Sequence, residues 1–214
     1  QKSFNKLQMQ LERDFKNGKK KAGDFSITLF GRTMAGKSTL MEILTEGDGN
    51  SIGKGAQRTT RDVRKYQWNN LVVTDVPGIG AFEGKEDETL AFEAARDSDL
   101  ILFLLTDDAP QPEEADCFGR IIELGKPVMC VVNVKSAISE NANTKLAIYD
   151  INKKFDNNRL EKIKNQFMGF ANLIGQKWET VPFIYVHLKA AYMSQHMPDK
   201  EIAKYMNESS KIDD

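Results

Sequence analysis

From residue 25 onward, short apolar runs alternate with stretches whose apolar positions recur every three or four residues. Those are the periods of a buried strand and of a helix packed on one face. Residues 25–30 form a β-type run, followed by a glycine-rich turn and a periodic segment at 37–44. Runs at 63–68 and 71–76 are joined by Asn69-Asn70 and predict an antiparallel hairpin. Residues 100–106 and 127–133 are continuously apolar, as strands covered on both sheet faces require. A helical stretch with Cys117, Ile121, Ile122 and Leu124 separates them, and 181–186 predicts a last core strand. The alternation predicts an α/β fold, a mostly parallel sheet with one antiparallel edge strand and helices on both faces.

Two further segments extend this pattern. Phe4, Leu7, Leu11 and Phe15 lie at helical spacing and end near Asn17-Gly18, predicting an N-terminal amphipathic helix and linker over 1–22. Its stripe packs on the domain's own surface or docks on a partner; the Lys19-Lys20-Lys21 run reads as solvated linker. Leu160, Ile163, Phe167 and Phe170 recur with helical period in a long polar stretch. It predicts a helical insertion around 137–180 within a domain spanning 23–214.

Composition narrows the classes of function. The 214 residues carry 30 Lys+Arg against 31 Asp+Glu, a formal net charge of −1, so no net positive field marks a nucleic-acid-coating protein. The apolar runs are too short to span a bilayer, and nothing in the chain points directly to a membrane. Cys117 and Cys130 sit in apolar contexts and read as reduced core thiols of a cytoplasmic protein. A first residue Gln1 suggests a processed product or a piece of something longer.

The chemistry concentrates at Gly31-Arg32-Thr33-Met34-Ala35-Gly36-Lys37-Ser38, which matches G-x-x-x-x-G-K-[ST] between a predicted strand and a predicted helix. Glycines let backbone N–H groups turn inward around phosphates. The lysine reaches the β/γ-phosphates, the serine hydroxyl suits Mg²⁺, and the helix end favours an anion. Thr39 continues the loop into the helix. Asp75-Val76-Pro77-Gly78 follows the strand 71–74. A carboxylate there can hold Mg²⁺ through water, and Gly78 can offer its N–H to a γ-phosphate. Thr59-Thr60-Arg61-Asp62 lies between the first helix and the hairpin, where a threonine can complete a Mg²⁺ shell only with γ-phosphate present.

These motifs resemble the translation-factor-related P-loop GTPases, most nearly the Era/TrmE-type branch, over roughly residues 25–191. Gln57-Arg58-Thr59-Thr60-Arg61-Asp62 stands where that branch has G-T-T-R-D. The resemblance implies GTP and GDP as ligands, Mg²⁺ held by Ser38 and Thr60 with water-mediated contact from Asp75, and switch segments near 48–62 and 77–87. It implies a base site at Asn133, Lys135 and Ser136, with a base-contacting loop at 186–190 that includes Leu188 and Lys189.

Several positions depart from the family pattern. Its N-K-x-D motif here reads Asn133-Val134-Lys135-Ser136. Valine lays no cationic stem across a base, and one serine hydroxyl replaces a bidentate carboxylate. Ile79 stands where Ras-like enzymes carry a water-orienting glutamine, and Met34 where Era/TrmE-type enzymes carry a potassium-binding asparagine. Arg58 is a candidate arginine finger in cis, by analogy with Gα proteins. The sequence therefore predicts a GTP-hydrolysing switch, slow unaided, with an effector, an activating partner or a nucleotide-dependent homodimer. The alternatives are the G domain of a dynamin-like mechanical protein, or a nucleotide-binding interaction module with little turnover. His187 and His196 lack zinc spacing, Glu83, Glu86, Asp87 and Glu88 read as a solvated loop and helix start, and Trp68 and Trp178 read as packing residues.

Overall fold

The alternating pattern closes into one sheet with a strand order that places the glycine-rich turn beside its centre. The computed structural model describes residues 24–47, 63–79, 85–135 and 144–196; the N-terminal helix expected over 1–22 lies outside them. The elements are β1 (Phe25–Gly31), α1 (Lys37–Leu44), β2 (Arg64–Trp68), β3 (Leu71–Asp75), α2 (Lys85–Arg96) and β4 (Leu100–Thr106). They continue with α3 (Pro112–Ile122), β5 (Val128–Asn133), α4 (Thr144–Lys154), α5 (Asn157–Leu173), β6 (Phe183–Val186) and α6 (Leu188–His196). The six strands run in the order β2-β3-β1-β4-β5-β6. Among the described residues, only the β2–β3 pair is antiparallel, with Asn69 at φ 51° in its turn. Since β1 pairs with β3 on one side and β4 on the other, the chain reverses direction across the sheet there, and a crevice opens at the carboxyl ends of those strands.

The two faces of each central strand feed separate cores. Ile101, Phe103 and Leu105 of β4 join Phe30, Phe118, Phe167 and Trp178 under α2, α3 and α5. Leu102 and Leu104 join Ile27, Leu29, Leu40, Met41 and Leu188 under α1 and α6. Alternate residues of a strand point to opposite faces, so continuous hydrophobicity in β4 means that both faces are covered. The first core is aromatic at its centre. Phe118 meets Phe103 at a ring-centroid distance of 4.9 Å, Phe167 at 5.1 Å and Trp178 at 4.8 Å, all edge-on. The Trp178 indole N–H donates to Gln176 Oε1 at 2.8 Å, so this buried ring keeps a polar partner.

Local signals set the helix ends. Glu114 Oε2 accepts the Gln111 N–H at 2.9 Å with Pro112 opening α3, and Asp156 Oδ1 accepts the Arg159 N–H at 2.9 Å at the start of α5. Both cysteines are buried and free, and burial pushes the Cys117 thiol up to about 12.

Two expectations are corrected. Trp68 does not pack inside; it sits on the edge strand β2 among the exposed large hydrophobic residues, because side chains stand above and below the sheet and those at its margin are less covered than those at its centre. Residues 186–190 do not form a loop, since α6 begins at Leu188 with only His187 between it and β6.

Removal of the aromatic hub should cost the most stability. Phe118→Ala is expected to destabilise the fold by about 3–5 kcal/mol, read from chemical denaturation midpoints, whereas Trp68→Ala should change the midpoint little.

Candidate nucleotide site

Strand β1 ends in Gly31, and the chain turns through residues 32–36 before α1 starts at Lys37. Three glycines permit close backbone approaches here. A Cβ at Gly31, whose φ is 145°, would lie 2.5 Å from the Leu104 carbonyl oxygen. One at Gly36, φ 106°, would lie 2.8 Å from both Asn133 Nδ2 and Leu188 Cδ1. One at Gly78 would lie 2.7 Å from the Thr33 nitrogen. The loop is therefore packed against β4, the Asn133 segment and the D-x-x-G segment at once. Ile79 completes the last contact, its N–H donating to the Gly31 carbonyl at 3.1 Å.

Lys37 is buried inside this corner. Its ammonium donates to the carbonyls of Gly31 at 3.0 Å and Arg32 at 3.3 Å. Burial lowers its pKa, opposed by the charge of nearby Asp75 and, more weakly, by Cys117. A buried cation is costly, so an anion entering the loop would relieve that cost. Ser38 Oγ donates to Asp75 Oδ2 at 3.5 Å, and Asp75 is itself buried at the end of β3. Two hard oxygen donors side by side, beside a loop shaped for phosphate, suit Mg²⁺. Thr39 follows half-buried in the first turn of α1.

Across the loop, Asn133 at the end of β5 acts as a cross-link. Its Nδ2 donates to the Ala35 carbonyl at 3.0 Å, and its Oδ1 accepts the Leu188 N–H at 3.2 Å. The Leu188 amide is thus committed to Asn133. Leu188 enters the site as an apolar side chain against Gly36, while Lys189 is exposed next to it. Val134 is fully buried and donates its N–H to the Val186 carbonyl at 2.8 Å. The cationic stem is supplied one residue later, where Lys135 Nζ donates to the Met34 carbonyl at 3.0 Å. Met34 has φ 64° and a side chain 75% exposed. Arg32 turns away from Lys37, its guanidinium 3.4 Å from Thr106 Oγ1 and 3.8 Å from Asp108 Oδ2.

The structure thus brings together Gly31–Ser38, Asp75, Gly78, Asn133, Lys135 and Leu188. Arg58, Thr60 and Ser136 lie outside the described residues. Sequence reading missed Asp107, a buried carboxylate just past β4 that accepts the Lys135 N–H at 3.0 Å. An acid directly after an apolar strand was the available signal, the same one that marked Asp75. His187, whose spacing in the sequence is unsuited to zinc, is buried, and its Nδ1 accepts the Ala190 N–H at 3.1 Å in the first turn of α6. Among the described residues, no group of three His, Cys, Asp or Glu side chains forms a metal cluster, and no helix is long and apolar enough to cross a membrane.

A phosphate-binding loop at the carboxyl end of β1, a strand-end aspartate and an Asn cross-link define a P-loop nucleotide-binding domain. The chain belongs to the GTPase family described as 50S ribosome-binding GTPase, whose pattern matches residues 26–134. GTP hydrolysis is the activity that this family's description names. The chain is similar to GTPase Era of Clostridium botulinum, 33% identical over 132 residues that cover 56% of this chain and 42% of the relative. It is also similar to GTPase Der of Microcystis aeruginosa, 32% identical over 134 residues, covering 56% of this chain and 29% of the relative. The chain thus spans less than half the length of these two relatives. The fold is shared with a single-substitution variant of Era from Aquifex aeolicus bound to GDP·AlF4⁻. That likeness has a TM-score of 0.50 and 20% identity, and covers 84% of this chain and 56% of that one.

The buried lysine separates stability from binding. Lys37→Met removes the desolvated cation and keeps an apolar stem, so the nucleotide-free melting temperature should stay level or rise. GTP affinity should be lost by calorimetry. A clear fall in melting temperature would show that Lys37 supports the fold instead.

Proposed function

We propose that the protein is a Mg²⁺-dependent GTP switch. In this reading, nucleotide state sets the conformation of segments 48–62 and 77–87, and an effector responds to it. The observation that supports it is the buried Lys37 ammonium held within a glycine-cornered loop beside Ser38 and Asp75. Backbone N–H groups of residues 31–38 and the start of α1 cradle the β- and γ-phosphates, and Lys37 offsets their charge. Ser38, Thr60 and Asp75 are the residues that would hold Mg²⁺. The ion supplies charge neutralisation on the phosphate oxygens when bound. Gly78 faces its N–H to the γ-phosphate.

Catalysis rests on positioning and charge more than on a side-chain base. Ile79 has no group to orient a water, and its N–H is committed to Gly31. Met34 offers no side-chain oxygen to a monovalent cation. Arg58 is the candidate for transition-state charge in cis, and turnover is slow until a partner or second copy orders the switch segments. Asn133 and Lys135 fasten the base segment to the phosphate loop, and Ser136, Leu188 and Lys189 are the residues that would contact the purine. In this reading the GTPase domain spans residues 23–214 and follows an N-terminal segment 1–22, in a cytoplasmic protein whose thiols stay reduced.

Calorimetry with GTP, GDP and ATP in Mg²⁺, with phosphate release measured on the same samples, tests this reading. Selective guanine binding and slow release are expected, and Arg58→Ala should slow release by about 10²-fold or more. Folded protein that binds no GTP would overturn the switch. Undiminished turnover in the Arg58 variant would remove the finger alone.

A further inference from the structure

We propose that Asp107 and Arg159 are positioning residues for nucleotide binding, joining helices α4 and α5 to the segment that bridges the phosphate loop. Asp107 divides its carboxylate between two partners. Oδ1 accepts the Lys135 N–H at 3.0 Å, and Oδ2 accepts from Arg159 Nη2 at 2.5 Å. The same Nη2 donates to the Asp107 carbonyl at 3.2 Å, and Nη1 donates to the Lys154 carbonyl at 3.1 Å, in the last turn of α4. One guanidinium therefore ties the end of α4 and the start of α5 to the residue that follows β4. Asp107 is also joined to β5, its N–H donating to the Asn133 carbonyl at 3.3 Å.

The reason for such a clamp lies in residues 133–135. Val134 is buried, so the lysine that reaches the phosphate loop must come from residue 135. The direction of that side chain depends on how the backbone leaves Val134, and Asp107 grips the amide of Lys135 itself. A buried carboxylate holding one neutral amide would be costly, whereas a guanidinium bonded to both its oxygen and its carbonyl makes the arrangement charge-assisted. The sequence of contacts then runs from α5 to Asp107, from Asp107 to the Lys135 amide, and from Lys135 Nζ to the Met34 carbonyl. Lys37, Ser38 and Asp75 take no part in it. Loosening Arg159 should therefore weaken the hold on the nucleoside end of a ligand and leave the phosphate end alone.

This inference rests on the GTP-binding reading and is tested by comparing GDP with inorganic pyrophosphate, each with Mg²⁺, by calorimetry on the full chain. Arg159→Ala should weaken GDP about 10-fold or more and leave pyrophosphate affinity unchanged. Arg159→Lys should recover part of the loss, because an ammonium keeps the charge pair without the forked contacts. Arg159→Ala combined with Lys135→Ala should bind GDP no more weakly than Lys135→Ala alone, since both act through one chain of contacts. Equal losses for GDP and pyrophosphate, additive losses in the double variant, or unchanged GDP affinity would each overturn the proposal. Wild-type protein that binds pyrophosphate but not GDP would instead overturn the GTP-binding reading, and this one with it.

Discussion

Glycine backbone packed directly against its neighbours around the buried Lys37 ammonium is the constraint on which the nucleotide end of the molecule depends. Gly31, Gly36 and Gly78 each sit where a Cβ would come within 2.5 to 2.8 Å of a neighbour, so the loop can be drawn against β4, the Asn133 segment and the D-x-x-G segment together. That closeness lets a lysine be enclosed by carbonyls while the start of α1 faces the same space. The enclosure raises the cost of the cation, and the cost is what makes the corner selective for an anion. A looser loop would leave the lysine solvated and its attraction for phosphate screened.

The two apolar cores hold this corner from opposite sides of the sheet. On one face, the aromatic cluster around Phe118 fixes α3 and α5 against β4 and β5. On the other, Leu188 brings the start of α6 onto Gly36 and α1. Asn133 reinforces that second face, because one side-chain amide bonds both the phosphate loop and the α6 start. The exchange of residue types at 134 and 135 becomes intelligible in this frame. Val134 belongs to the interior, and the contact with the phosphate loop passes to its neighbour Lys135.

Much of the site was legible because its parts are local. The phosphate loop, the Asp75 strand end and the apolar runs of β1, β4 and β5 each declare themselves within eight or fewer consecutive residues. Their conformations follow from glycine, from alternation and from helix starts. The same locality explains the errors. Trp68 reads as core from its residue type, but whether a strand lies at an edge depends on which strands pair. The segment after β6 reads as a loop from its position, but α6 begins at once because Leu188 is drawn in by Gly36 and Asn133.

By itself, the sequence determined the α/β class, the place of the phosphate loop between strand and helix, and the residue types available to phosphate and metal, since these rest on short-range periodicity and side-chain chemistry. Tertiary structure alone decided that Lys135 does the bridging, that Arg32 turns toward Asp108, and that Asp107 is clamped by an arginine 52 positions along the chain. Those outcomes depend on which strand ends and helix ends are brought side by side. No local pattern encodes that adjacency, because it arises from the packing of both sheet faces together.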